Sequence, residues 1–191
     1  MTQVSRTERI ARRAVLASLL LPLLFAGCSN RPHAPPLTTE AVYQNDAIGL
    51  RFLAPAGWPV QSRATLPTGR LAKPIILVTY QRVPGDKPAE FKVLAADLAP
   101  EASLEHFLTD VQVGPETWSA PSAAQPLTVN GAEATRYIQT RTQGKEEYRR
   151  EVTAFRRGDH RVYLFLVIFP ASDAASRDAV RTAVASVTWT K

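Results

Sequence analysis

The chain has 191 residues, a formal net charge of +6, 45% apolar and 21% charged residues, and one cysteine. That length favours one folded domain with appendages, and that composition excludes a chain that is disordered or fibrous throughout. One thiol excludes an internal disulfide framework and any C-x-x-C metal or redox site. Arg6, Arg9, Arg12 and Arg13 against Glu8 place +3 of the charge in residues 1–27, so the remainder, also +3, is too thinly basic for nucleic acid.

Residues 1–13 are polar and basic, and Ala14–Ala26 (AVLASLLLPLLFA) is an unbroken uncharged run. Gly27, Cys28 and Ser29 follow. A basic region, a short apolar run and a small-residue site in that order are an export signal. The run is too short to span a bilayer as a helix, and Pro22 opposes one. Leu24-Phe25-Ala26-Gly27-Cys28 resembles a bacterial lipobox, with Phe25 where leucine is commoner. The resemblance implies a diacylglycerol on the Cys28 sulfur, cleavage after Gly27 and an amide-linked acyl chain such as palmitate on the new amino terminus. Several acyl chains make membrane attachment stable, since each buried methylene adds about 0.8 kcal/mol. Ser29, not Asp, then implies transfer to the outer membrane, facing the periplasm, in a Gram-negative host.

Residues 28–45 (CSNRPHAPPLTTEAVYQN) read as a flexible tether, because Pro32, Pro35 and Pro36 favour extended chain over a compact core. His33 is then a solvated side chain. A single globular domain is expected over 46–191. Ile48–Leu53 alternates as a strand and ends at Pro55, Gly57 and Pro59. Ile75–Arg82 (IILVTYQR) is a second strand and Phe91–Leu98 a third. Leu104, Phe107, Leu108 and Val111 form one apolar stripe, which predicts a helix over Ser103–Val111 with Ser103 as its cap. Gly114–Gln125 is loop. Asn130-Gly131 supplies the positive φ angles of a type I′ turn between 127–129 and 132–142. Further turns at Gly144 and Gly158 bound strands over Glu147–Arg156 and Arg161–Phe169. The last (RVYLFLVIF) is apolar on both faces and should lie centrally, covered on both sides. A second helix is expected from Ser172 to about Val187.

This order predicts an α+β fold, a largely antiparallel sheet with helices packed on its faces. Gly49-Leu50-Arg51-Phe52 with Pro55-Ala56-Gly57-Trp58, then Asn130-Gly131-Ala132-Glu133-Ala134, then Arg161-Val162-Tyr163 with the Ser172 helix and Trp189, together resemble the PsbP-like α/β/α sandwich group over most of 46–191. The resemblance implies a small non-catalytic domain, often a lipoprotein or assembly partner, without shared catalytic residues.

The sequence holds no G-x-S-x-G, H-E-x-x-H, Walker A loop or G-x-G-x-x-G. His106 and Asp110 lie four apart beside Glu105, but a useful zinc site needs three or four ligands. His160 has no nucleophile or orienting partner nearby in sequence. Arg157-Gly158-Asp159 matches a cell-adhesion tripeptide, yet Gly-Asp is also what a tight turn requires. Trp58, Trp118 and Trp189 read as packing, with an aromatic ligand pocket as the alternative. No catalytic residue, metal site or cofactor is therefore expected. Arg136, Arg141, Arg149, Arg150, Arg156, Arg157 and Arg161 fall on or beside three consecutive strands, interleaved with Glu133, Glu147 and Glu151. They form either a salt-bridged solvent face or an anion- or partner-binding face carried by Arg136, Arg141, Arg149 and Arg157. The expectation is a membrane-anchored, non-enzymatic envelope lipoprotein with a protein partner. The alternative is a small-ligand or lipid carrier, and a hydrolase comes third.

Overall fold

The structure is a computed structural model and describes residues 41–82, 88–110, 117–158 and 160–190. Ten strands and two helices occur among them: β1 (Val42–Asn45), β2 (Leu50–Leu53), β3 (Val60–Arg63), β4 (Ile75–Arg82), β5 (Ala89–Asp97), α1 (Leu104–Asp110), β6 (Gln125–Val129), β7 (Ala132–Gln143), β8 (Glu146–Arg157), β9 (Arg161–Pro170), α2 (Ala174–Ala185) and β10 (Thr188–Trp189). Seven strands form one sheet in the order β3-β4-β5-β9-β8-β7-β6, and β1-β2-β10 form a small second sheet. All neighbouring strands are antiparallel. The fold is α+β, with helices on a largely antiparallel sheet.

β9 lies at the middle of the seven strands, as its apolar run requires. Its side chains alternate between two cores. Tyr163, Phe165, Val167 and Phe169 join a cluster with Tyr43, Leu50 and Phe52 of the small sheet and with Val180, Ala183 and Val184 of α2. Val162, Leu164 and Leu166 join a second cluster with Leu104 and Leu108 of α1. The β6–β7 turn has Asn130 at φ 47° and Gly131 at φ 81°, the left-handed pair that a type I′ turn needs.

Four details depart from the sequence reading. The folded unit takes in Val42–Asn45 from the stretch read as tether. Tyr43 is only 3% exposed and stacks on Phe52 at 4.8 Å. Residues 46–49 turn, so the strand starts at Leu50 rather than Ile48. There Gly49 (φ 65°) accepts a hydrogen bond from the Thr190 N–H at 2.8 Å, and a Cβ at this position would fall against the Thr190 carbonyl. The second helix runs over Ala174–Ala185 rather than from Ser172 to about Val187, and is capped by Asp173, whose carboxylate accepts from the Ser176 N–H. Finally, residues 119–122, inside the expected loop, run along the edge of β7: the Ser119 N–H donates to the Thr140 carbonyl and the Ser122 N–H to that of Ile138. The Ser119 and Ser122 hydroxyls accept the Thr140 and Ile138 N–H groups in return. This segment covers the strand edge that β6 leaves bare. Cys28, Val111 and Asp159 lie outside the described residues.

Candidate functional site

The arginines do not form one face. Residues alternate across a strand, and Glu151 of β8 meets α2, so Arg149 and Arg157 point to the side that α2 covers. Ala134 belongs to the same cluster as α2, so Arg136 does too. Arg141 differs from Arg136 by an odd number of positions and lies on the opposite side, with Arg150. Arg149 and Arg157 are eight residues apart on β8, about 27 Å along an extended strand. The proposed set Arg136, Arg141, Arg149 and Arg157 is therefore split between two faces and two ends of the sheet.

Most of the series has a local task. Arg157 lies over the Trp189 ring at 5.0 Å. Arg156 donates to the carbonyls of Ala99 and Ala102 and so holds the chain entering α1. Arg161 binds Asp97 at 2.5 Å and the Gly69 carbonyl at 2.8 Å. On the other face, the guanidinium groups of Arg141 and Arg150 lie over the Trp118 ring, at 4.8 and 5.0 Å from its centre. Arg150, only 3% exposed, donates through Nε and a terminal nitrogen to the Gln139 carbonyl oxygen. Such stacking and bidentate bonding let a guanidinium lie in a dry site.

Among the described residues neither Arg136 nor Arg149 has a carboxylate within ion-pair distance or lies over an aromatic ring. Arg136 has the further distinction of its place. It lines a cleft of about 460 Å³ between α2 and the β6–β8 end of the sheet, with Leu127, Val129, Glu151, Thr153, Val180, Arg181, Val184 and Ala185. Two ties fix the cleft's ends. At the hairpin tip the Asn130 side-chain amide donates to the carbonyls of Ala185 and Val187, at 3.1 and 2.9 Å. At the other end Arg181 of α2 clamps both oxygens of Glu151, at 2.9 to 3.2 Å. Glu151, 5% exposed, thus pairs with a helix and not with a neighbouring strand's arginine. The sequence marks Glu151 by its parity with Phe155, which turns it inward. Nothing in the sequence points to Arg181 as its partner.

Among the described residues neither His106 nor His160 sits in a reactive set. His106 and Glu105 are exposed on α1. His160 Nε2 lies 3.9 Å from Asp97. The Asp97 carboxyl is pushed up by burial, but the Leu71 N–H and the Arg161 guanidinium outweigh burial and hold it below its ordinary value of 3.8. No group of three or more His, Cys, Asp or Glu side chains able to hold a metal occurs among the described residues. The tryptophans do not converge: Trp58 and Trp189 pack with the helix-side core, while Trp118 stacks on the other face.

No family model matches the sequence, and no curated protein matches it. The solution structure of cyanobacterial PsbP (CyanoP) from Synechocystis sp. PCC 6803 is similar, with a TM-score of 0.52 over 82% of this chain and 97% of that one, at 12% identity. The fold is PsbP-like. LpqN of Mycobacterium tuberculosis, described as involved in cell envelope biogenesis, has a TM-score of 0.48 over 83% of this chain and 88% of that one, at 10% identity. At 12% identity the likeness to the cyanobacterial PsbP structure is one of fold.

Proposed function

We propose that the protein is a lipid-anchored cell-envelope protein whose folded unit binds a protein partner and performs no catalysis. The observation that carries this reading is the position of the only cysteine, Cys28, directly after the apolar export run and its small residues. Among the described residues no helix is long and apolar enough to cross a membrane, so the acyl chains are the anchor in this reading. The inward carboxylates Asp97, Asp173 and Glu151 are each held by an arginine, which suits a scaffold better than a proton-transfer site. The arginines are split and mostly tied, which gives nucleic acid no basic stripe to follow. In a Gram-negative host Ser29 sends the anchor to the outer membrane, facing the periplasm.

The test has two parts. Intact-mass analysis of membrane-extracted protein should show a chain beginning at an acylated Cys28, and Cys28→Ser should lose both fatty-acid label and membrane partition. A chain that still begins at Met1, or an unmodified Cys28, removes the localisation. Crosslinking in intact membranes followed by pull-down should recover the same protein repeatedly, and recovery of none removes the partner. A second reading, a small-ligand carrier, is favoured by the cleft beneath α2, whose volume of about 460 Å³ falls in the range of small-molecule sites.

A further inference from the structure

We propose that the cleft between α2 and strands β6–β8 binds a single-chain amphiphile with an anionic head, a fatty-acid-like carboxylate, through Arg136. The proposal rests on the carrier reading and names its ligand class.

The cleft is held open by the fold. The C-terminal half of α2 and the residues after it are tied to the sheet, by Arg181 to Glu151 and by Asn130 to the Ala185 and Val187 carbonyls. The aliphatic residues lining the groove beside these ties are Leu127, Val129, Val180 and Val184. The groove measures about 460 Å³, and Val129, Val180 and Val184 in its lining belong also to the core on the α2 side of β9. A half-open groove with aliphatic side chains in its lining can admit an apolar chain without rearrangement of the protein.

Charge selects the head. Three ionic side chains line the cleft: Arg136, Arg181 and Glu151. Glu151 and Arg181 neutralise each other in a two-oxygen clamp. Among the described residues Arg136 has no carboxylate of its own, and it is half-buried beside Thr153, which faces it across the β7–β8 ladder. A guanidinium in that setting offers two parallel N–H donors to a carboxylate, and the Thr153 hydroxyl is a further donor nearby. A cationic ligand meets Arg136 with repulsion. A neutral one leaves its charge without a counterion. An anion with an apolar tail satisfies both parts of the site.

The test uses the chain from Cys28 to Lys191, made without its export signal so that the thiol stays unacylated. Both apolar clusters lie wholly within it. Dodecanoate is the probe, its methyl ester the uncharged control, and calorimetric titration the readout. Dodecanoate should bind at least about tenfold more tightly than the ester, the factor that one charge-assisted hydrogen bond supplies. Arg136→Gln should lower dodecanoate affinity to that of the ester. Ala185→Phe, placed on the exposed flank of α2 to fill the cleft without touching the core, should remove binding of both. Circular dichroism and the thermal midpoint should stay those of the parent in each variant.

No dodecanoate binding overturns the proposal. So does binding that survives Ala185→Phe, which marks an adventitious surface site, or equal affinity for acid and ester. Non-denaturing mass analysis of protein purified from its own membrane checks the carrier reading separately. A co-purified neutral molecule alongside failure of dodecanoate sinks the ligand class and keeps the carrier. The mass of Cys28 is indifferent to all of these outcomes.

Discussion

At the end of β5 one carboxylate ties three segments together. Asp97 accepts the Leu71 N–H at 2.7 Å and the Arg161 Nε at 2.5 Å, and Arg161 reaches on to the Gly69 carbonyl. Burial raises the Asp97 pKa, yet these bonds outweigh it and leave the carboxyl below its ordinary value. Asp173 behaves alike: burial raises it, while Ser176 and Arg82 lower it further. A depressed native pKa means that the unfolded chain binds more protons in acid. The stability from both groups is thus present above their unfolded value of 3.8 and is lost as pH falls through the lower native one. Asp97→Asn should cost about 2 kcal/mol near neutral pH, the scale of a hydrogen bond to a charged group. It should also flatten the acid limb of stability. Urea midpoints measured from about pH 3 to 7 check both, and parallel acid limbs in parent and variant refute the assignment.

At the scale of elements, what the sequence revealed and what it hid follow from where each element gets its stability. β4 was legible to the residue, Ile75–Arg82, because its β-branched and aromatic run carries its own signal. The β7–β8–β9 meander was legible because Asn130-Gly131, Gly144 and Gly158 mark its turns, with φ of 81°, 63° and 64° at the three glycines. β1, β3 and β10 have four, four and two residues. They exist only through pairing, and β3 (VQSR) is exposed throughout, so no periodicity announced it. Tyr43 was hidden in a polar, proline-rich setting, which moved the domain boundary. The division of the arginines was legible in principle, since the odd spacing of Arg136 and Arg141 forbids a shared face on one strand. The cleft was not, because it depends on α2 meeting β8 through Glu151 and Arg181, thirty residues apart. That pair makes its own prediction. Arg181→Ala should destabilise by about 2 kcal/mol, because Glu151 stays buried without its counter-charge. Adding Glu151→Leu should recover most of the loss, since two apolar groups need no pairing. A double variant no more stable than Arg181→Ala means that the clamp is not what Glu151 contributes.

For the whole molecule the deciding element is β9. Leu164 and Phe165 are adjacent, both at most 1% exposed, and face opposite cores. Neither core is complete without this strand, and both share the β5–β9 and β8–β9 ladders. Loss of packing on one side therefore loosens the backbone that carries the other, which argues for one cooperative unit rather than two separable layers. The tryptophans report the two sides independently: Trp189 lies against Phe155 and Tyr163 on the helix-side core, and Trp118 against Arg141 and Arg150 on the other face. Leu164→Ala and Phe165→Ala should each cost about 3 to 5 kcal/mol, as large-to-small changes in a packed core do. In each variant, urea transitions followed by fluorescence of a Trp118-only chain and of a Trp189-only chain should coincide. Each should also coincide with the loss of far-ultraviolet circular dichroism. A Leu164→Ala chain in which the Trp118 signal is lost well before that of Trp189 would show that the two faces unfold separately. The shared strand would then be insufficient to couple them.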